Sequence, residues 1–318
     1  MAKKNAEALS GAARRSWKTE LKRDWVVYLL FLPIIIYEVV LHYLPMFGIV
    51  MAFEDYNVVD GYFHSPWVGM KHFIDLFSGE DFLQAIRNTV VIGLLRCTIG
   101  FVMPIIFALM LSLINSKKFK RIAQTMSYMP NFVAAVIVCS LFTQFLAKDG
   151  PLTLLLSKLF GAENQNWLAN DQAPVFWVIY LFMGIWQSIG WGSIMYVAAI
   201  SQVSGDLHEA AALDGASRLQ RMFKITLPSI LPMVVMMFVI NVGTSLTAGY
   251  DNILLLYMPS TYNVSDTVYT YTYRQAFGAG ATNYSLSAAS GLFQSVVSTI
   301  LLVGSNALSR KTAGSSLF

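Results

Sequence analysis

Apolar residues dominate six stretches of this chain, roughly 25–50, 88–114, 122–146, 174–202, 229–249 and 286–308. Each is near the ~20 residues that a helix needs to cross the hydrocarbon core of a bilayer. Runs of this length predict an all-α, polytopic membrane protein with six transmembrane helices. Between the fourth and fifth runs lies a polar island, Asp206 to Pro232, that breaks the pattern.

The island carries its own local signals. Asp206 is placed to cap a helix, with Glu209 three residues later as in a capping box. Glu209-Ala210-Ala211-Ala212-Leu213 then reads as one short helix of good helix formers. Asp214-Gly215 ends it, because glycine tolerates the left-handed backbone of a sharp turn. A second short basic helix follows with Arg218, Arg221 and Lys224, and Leu227-Pro228 opens the next apolar run. The expected element is a pair of short helices lying on a membrane surface.

Composition agrees with the span pattern. The chain is 56% hydrophobic and 13% charged, with a mean hydropathy of +0.55. A soluble domain of this size needs far more charge to cover its surface. The net charge of +4 is distributed asymmetrically. Lys3, Lys4, Arg14, Arg15, Lys18, Lys22 and Arg23 precede the first span; Lys117, Lys118, Lys120 and Arg121 join the second to the third. Arg218, Arg221 and Lys224 lie in the island, and Arg310 and Lys311 follow the sixth span. All these segments fall on one side of a six-span chain. The other side holds only Lys71, Arg87, Lys148, Lys158 and Arg274. The excess of cations marks the cytoplasmic side, so both termini and the island are expected there, and the charge serves orientation rather than nucleic-acid binding. The N-terminus lacks the pattern of a cleaved signal peptide. Cys97 and Cys139 lie inside apolar runs without metal-ligand spacing and read as small apolar residues.

No enzymatic constellation appears. There is no G-x-x-x-x-G-K-[ST] phosphate loop, so ATP chemistry by that route is not available to this chain. His42, His64, His72 and His208 are scattered, with no H-E-x-x-H spacing. No catalytic residue, metal ligand or cofactor is assigned. Two charges fall inside spans, Glu38 and Arg96, at matching depths counted at ~1.5 Å per residue. They are expected either to pair with each other or, for Arg96, to snorkel outward or face a polar cavity. Larger polar side chains gather in the later spans: Gln187 and Trp191 in the fourth, Asn241 in the fifth with Tyr250 and Asp251 just beyond it, Gln294 in the sixth. They suit either a polar substrate path or hydrogen bonds between helices. The Trp- and Tyr-rich segments on the outer side suit interfacial anchoring and also the stacking of sugar rings.

With these residues in view, a resemblance can be stated. Glu209-Ala210-Ala211, Gly215 four residues on, then Ile225 and Leu227-Pro228 resemble the EAA motif of permease subunits of bacterial ABC importers. Tyr43-Leu44-Pro45-Met46-Phe47-Gly48, Ser65-Pro66-Trp67-Val68-Gly69, Trp191-Gly192-Ser193 and Asp251-Asn252-Ile253-Leu254-Leu255-Leu256-Tyr257 are similar to the carbohydrate-uptake branch, within it the LplB-like polysaccharide and oligosaccharide permeases that include an alginate importer permease. The similarity covers almost the whole chain from about residue 25.

The resemblance implies a type I (MetI-like) permease core with a cytoplasmic coupling helix, and alternating access driven by two separate ATPase subunits that carry ATP and Mg. It implies a second, related permease, an extracytoplasmic substrate-binding protein and a carbohydrate substrate. Glu209, Ala210, Ala211, Asp214, Gly215, Leu227 and Pro228 would be the ATPase-coupling residues. Gln187, Trp191, Asn241, Tyr250, Asp251 and Gln294 are the candidates for the substrate path. The chain then divides into a tail (1–24), a first helix and outer loop (25–87), a permease core (88–310, with its coupling loop at 206–228) and a second tail (311–318), in the cytoplasmic membrane of a bacterium. The rivals are an ABC permease for amino acids or peptides, and an ion-coupled carrier, for which Glu38 is the only carboxylate well inside a span. No clear cluster of cations is offered to a polyanion, which weighs against a strongly acidic substrate unless the partner permease supplies the charge.

Overall fold

The computed structural model describes residues 23–62, 64–171, 173–245, 250–278 and 282–313. Most of both tails, Thr247 and the last residues expected in the fifth span lie outside them. The described chain runs through α1 (Trp25–Phe53), α2 (Lys71–Ser78), α3 (Glu80–Leu113), α4 (Lys117–Phe132) and α5 (Ala135–Phe145). It continues through α6 (Pro151–Phe160), α7 (Pro174–Ser201), α8 (Gly205–Leu213) and α9 (Arg218–Thr244). It closes with α10 (Tyr250–Leu256), α11 (Val268–Phe277) and α12 (Tyr284–Ala313). Among the described residues, extended pairing is limited to one antiparallel bridge between Glu54 and Trp67. Helices α1, α3, α7, α9 and α12 are long and apolar enough to cross a membrane.

The third expected span takes a different form. The run 122–146 is not one helix: α4 and α5 meet at 95°. Pro130 has no N–H to continue the α4 ladder; the chain tightens into a 3₁₀ turn at Met129–Phe132 and passes through extended backbone at Val133 and Ala134. The freed Val133 carbonyl accepts a hydrogen bond from Gln187 Nε2 at 3.3 Å. The outer side of this corner packs on α7 at Gly190. A Cβ built there would lie 2.1 Å from the Ser127 carbonyl oxygen. Gly190→Ala is therefore expected to cost about 1–3 kcal/mol by overpacking. Gly184→Ala, whose Cβ would meet nothing within 4 Å, should be close to neutral; thermal unfolding in detergent compares the two.

Two helices absorb prolines by a shared device. Pro104 and Pro228 cannot donate to the carbonyls four residues earlier, at Gly100 and Lys224. In each case the turn that holds the deprived carbonyl is π-helical, Arg96–Gly100 in α3 and Met222–Thr226 in α9, a usual way for a helix to take up such a break. Helix α9 consequently runs unbroken from the basic residue Arg218 into the membrane run. The expected separation of a second surface helix from a span beginning near residue 229 is corrected on this point. Helix α3 likewise starts at Glu80, well before residue 88, because Glu80 and Asp81 in its first turn suit the positive end of the helix dipole.

Burial falls into three groups. Val138, Phe176, Tyr180, Met183 and Ile253 join α5, α7 and α10. Phe82, Val268, Tyr271 and Ala289 join α3, α11 and α12 around the end of α1. Ile105, Leu109, Tyr196, Met222 and Ile230 join α3, α7 and α9. The first part of α1 is apart from all three: no residue of Trp25–Glu38 is buried, and the helix is attached through its last turns, where Ala52 is fully enclosed in the second group. Beyond it, the Glu54 carbonyl accepts bonds from Ser285 Oγ at 2.6 Å and His72 Nε2 at 3.1 Å.

The segment between α10 and α11 is pinned by polar groups. Asn88, wholly buried, donates to the carbonyls of Asn263 at 3.1 Å and Asp266 at 2.9 Å. Trp177 Nε1 donates to the Val264 carbonyl at 2.9 Å. Asp266 is ion-paired with Arg274 and accepts from Thr270 Oγ1 at 2.6 Å. Burial pushes the Asp266 carboxyl above its ordinary value, with the Thr270 hydroxyl and the Arg274 guanidinium pulling against that rise.

Candidate coupling surface and polar cleft

Helix α8 is capped by Ser204, not Asp206: the Ser204 hydroxyl accepts from the Asp206 N–H at 3.2 Å. Asp206 sits in the first turn, where its charge favours the helix N-terminus. Serine and aspartate are comparable caps, and the Gly205 that follows gave no helix signal in the sequence. The end of α8 is as the sequence predicts. Gly215 has φ +81°. Its N–H bonds the Ala212 carbonyl at 3.1 Å, and the Ala216 N–H bonds the Ala211 carbonyl at 2.9 Å. This paired closure is a Schellman motif. Ser217 and Gln220 then form a capping box that starts α9.

These bonds hold α8 against the foot of α9. Arg221 Nη1 donates to the His208 carbonyl at 3.1 Å, and Met222 and Thr226 are buried in the α3–α7–α9 group. No residue of α8 is buried; Glu209 and Ala210 are exposed, and Leu213 is 90% exposed at the tip of the turn. Leu227 and Pro228 stand apart from this face, in the first turn of the α-helical part of α9. They shape the π turn below the surface. Lys120, Arg218 and Arg221 line one cleft with Asn115 and His208, so the basic connections 114–121 and 202–226 meet at the same end of the bundle.

The substrate-path candidates divide. Gln187, Trp191 and Asn241 line one cleft of about 420 Å³ between α3, α7 and α9, together with Arg96, Tyr180 and Asn252. Asn241 Oδ1 is buried there with no hydrogen-bond partner among the described residues. Gln294 is elsewhere: it borders an apolar cleft with Thr89, Cys97 and Ser245. Asp251 is exposed on the first turn of α10, and the Tyr250 side chain lies outside the described residues. Tyr180 is a cleft residue that sequence reasoning missed, since nothing separates it from the other aromatics of an apolar run.

The expected Glu38–Arg96 ion pair does not form. The Glu38 carboxylate lies 3.3 Å from His42 Nδ1, one turn along the same helix. Arg96 faces the cleft on α3. Matching depth counted along the sequence does not supply contact, because Glu38 lies on the part of α1 with no buried residue.

The described residues thus form a helical bundle with a polar cleft between three of its spans and a short helix without buried residues at one end. The chain belongs to the family described as binding-protein-dependent transport system inner membrane component, whose model matches residues 100–314. It is similar to protein LplB of Bacillus subtilis (strain 168), 36% identical over 99% of this chain and 98% of that protein. It is also similar to the polygalacturonan/rhamnogalacturonan transport system permease protein YteP of the same strain, 38% identical over 94% and 92% respectively. Among solved structures, it matches a bacterial alginate ABC transporter in complex with an alginate pentasaccharide-bound periplasmic protein, with a TM-score of 0.86 at 36% identity, over 96% of this chain and 100% of the other. The chain is thus a multi-pass inner membrane permease subunit with the MetI-like fold, and nucleotide binding belongs to a separate ATPase.

Proposed function

We propose that this chain forms half of the translocation path of an ATP-driven importer of oligosaccharides, with α8 as the joint through which separate ATPase subunits drive it. The relative at 38% identity is named for polygalacturonan/rhamnogalacturonan transport and a matched solved structure, at 37% identity, for import of the polysaccharide alginate, which favours carbohydrate over peptides or amino acids. The other components are a second related permease, two ATPases holding ATP and Mg, and an extracytoplasmic binding protein that delivers the sugar. The basic end of the bundle would be cytoplasmic, as the clustering of Lys120, Arg218 and Arg221 supports, with both termini on that side.

The observation that carries the coupling role is Leu213, 90% exposed on a helix with no buried residue. Burying one leucine side chain in a partner's groove is worth about 1.5–3 kcal/mol. Glu209 adds a carboxylate on the exposed surface of the same helix. The foot of α9, anchored by Met222 and Thr226, would carry the movement into the span. Leu213→Asp and Glu209→Lys are expected to weaken co-elution of the ATPase with the permease pair by about tenfold or more. Undiminished co-elution of both variants would remove α8 from the docking surface.

A further inference from the structure

The cleft at the basic end of the bundle has no part in the substrate path. It encloses about 370 Å³ between the end of α3, the start of α4, the end of α7, α8 and the foot of α9. Lys120, Arg218 and Arg221 line it, with His208 beside them, and no aspartate or glutamate does. Asp206, Glu209 and Asp214 of the adjoining α8 stay outside it. Among the described residues, none of the three cations takes part in an ion pair. Arg218 is aimed by Asn115: with its amide turned to accept, the Asn115 oxygen meets Arg218 Nη1 at 3.3 Å and Nη2 at 3.0 Å. Arg221 is held through Nη1 by the His208 carbonyl, and its Nε is buried with no hydrogen-bond partner among the described residues. A buried donor on a charged group is costly to leave unmet. Like charges gathered in one cleft also repel one another and raise the local concentration of anions.

We propose that this cleft binds a phosphate group. Guanidinium forks match pairs of phosphate oxygens, and a lysine adds a point charge. Leu113 and Ser201, which line the cleft, are the last residues of α3 and α7. The cleft therefore lies where the apolar runs end, at the level of lipid headgroups, and basic pockets between spans at that level take anionic headgroups. Phe119, Leu219 and Phe223 are exposed at the same end and offer apolar surface to the first carbons of acyl chains. A soluble phosphate would reach the same cations from the aqueous side. From either source, one phosphate would tie three segments together: the connection 114–121 through Lys120, the foot of α9 through Arg218 and Arg221, and α8 through the bond from Arg221 to His208. It would thereby stiffen the seat of α8.

The test uses the purified importer complex, exchanged into lipid-free detergent. The probes are radiolabelled inorganic phosphate and a short-chain phosphatidylglycerol, with the phosphatidylcholine of the same chain length for comparison, all at one ionic strength. Lys120→Gln with Arg218→Gln should lower the affinity for the bound anion about tenfold. Lys117→Gln with Lys118→Gln removes the same charge from exposed positions outside the cleft and should change it less than about twofold. Phosphate held by the ATPases remains in every variant and is subtracted. Should the first double variant fail to assemble, Lys120→Gln alone should weaken binding about threefold. If only phosphatidylglycerol binding falls in the cleft variant, the phosphate is a lipid headgroup; if inorganic phosphate binding falls, it is soluble. No affinity for either anion, or equal weakening by the two double variants, overturns the site and leaves only a basic surface. Affinity that arises only after the ATPases are stripped away overturns it too, because a side chain of theirs then fills the cleft. ATP-driven uptake, measured on the same complex, bears on the importer reading alone.

Discussion

Gly215→Pro is expected to abolish ATP-driven uptake while leaving the protein in the membrane at normal levels. The residue holds φ at +81°, and proline is locked near −65°. The substitution also removes the N–H that bonds the Ala212 carbonyl. No neighbour lies within 4 Å of a Cβ at this position, so the whole effect is on the backbone of the turn. A penalty of ~3 kcal/mol would shift the population of the correctly closed turn about a hundredfold. Gly215→Asn provides the control, because asparagine also ends helices in the left-handed conformation. It should keep uptake within about threefold, whereas Gly215→Val, at a cost of ~1–2 kcal/mol for a left-handed β-branched residue, should fall between. Uptake in proteoliposomes and the membrane level of each variant separate coupling from insertion. Equal activity of the proline variant would show that the turn transmits nothing.

Arg274→Ala carries the largest expected loss of stability. Asp266 is 2% exposed, and the guanidinium that pairs with it also lies over the rings of Tyr262 at 4.6 Å and Tyr271 at 5.4 Å. Truncation would leave a carboxylate buried with only the Thr270 hydroxyl for company. Breaking one side of a buried pair costs about 3–5 kcal/mol. The double variant Asp266→Asn with Arg274→Ala should lose less than Arg274→Ala alone, because no uncompensated charge remains. The sign of the pH dependence follows from burial. With its carboxyl raised above the unfolded value of ~3.9, the folded state of the variant binds the proton more tightly. Its stability should therefore be highest below ~pH 4 and decline as pH climbs through the raised native value. Thermal unfolding in detergent across that range tests both statements; a variant that gains stability with rising pH would contradict the picture of a stranded carboxylate.

The spans were legible because bilayer thickness imposes a length on apolar runs, and the end of α8 was legible because Gly215 answers a backbone demand that few residues can meet. The bend between α4 and α5 was not. Pro130 marks a weak point in a helix, but proline kinks range widely, and the partners of the 95° corner, Gln187 and Gly190, come from a different helix. The start of α8 was misread by two residues because Ser204 and Asp206 are equally good caps. At the cleft, Gln187, Trp191 and Asn241 were found by their polarity in apolar surroundings. Gln294 has the same signature and lies in another cleft, since polarity does not report which side of a helix faces which neighbour. Of the two readings offered for Arg96, pairing with Glu38 does not occur, and the alternative of facing a polar cavity matches its place on the cleft. Depth is a one-dimensional quantity, and pairing requires two more.

The bareness of α1 has a consequence for how the protein is made. Because no residue of Trp25–Glu38 is buried, insertion of this helix does not require contacts with the rest of the described chain. The ribosome delivers this helix before α3 to α12 exist, and it has no need to wait for them. It can settle in the membrane as an independent anchor and tether the growing chain beside the site of insertion. The bundle then assembles afterwards against the turns that end in Ala52, the one part of the anchor that its core encloses.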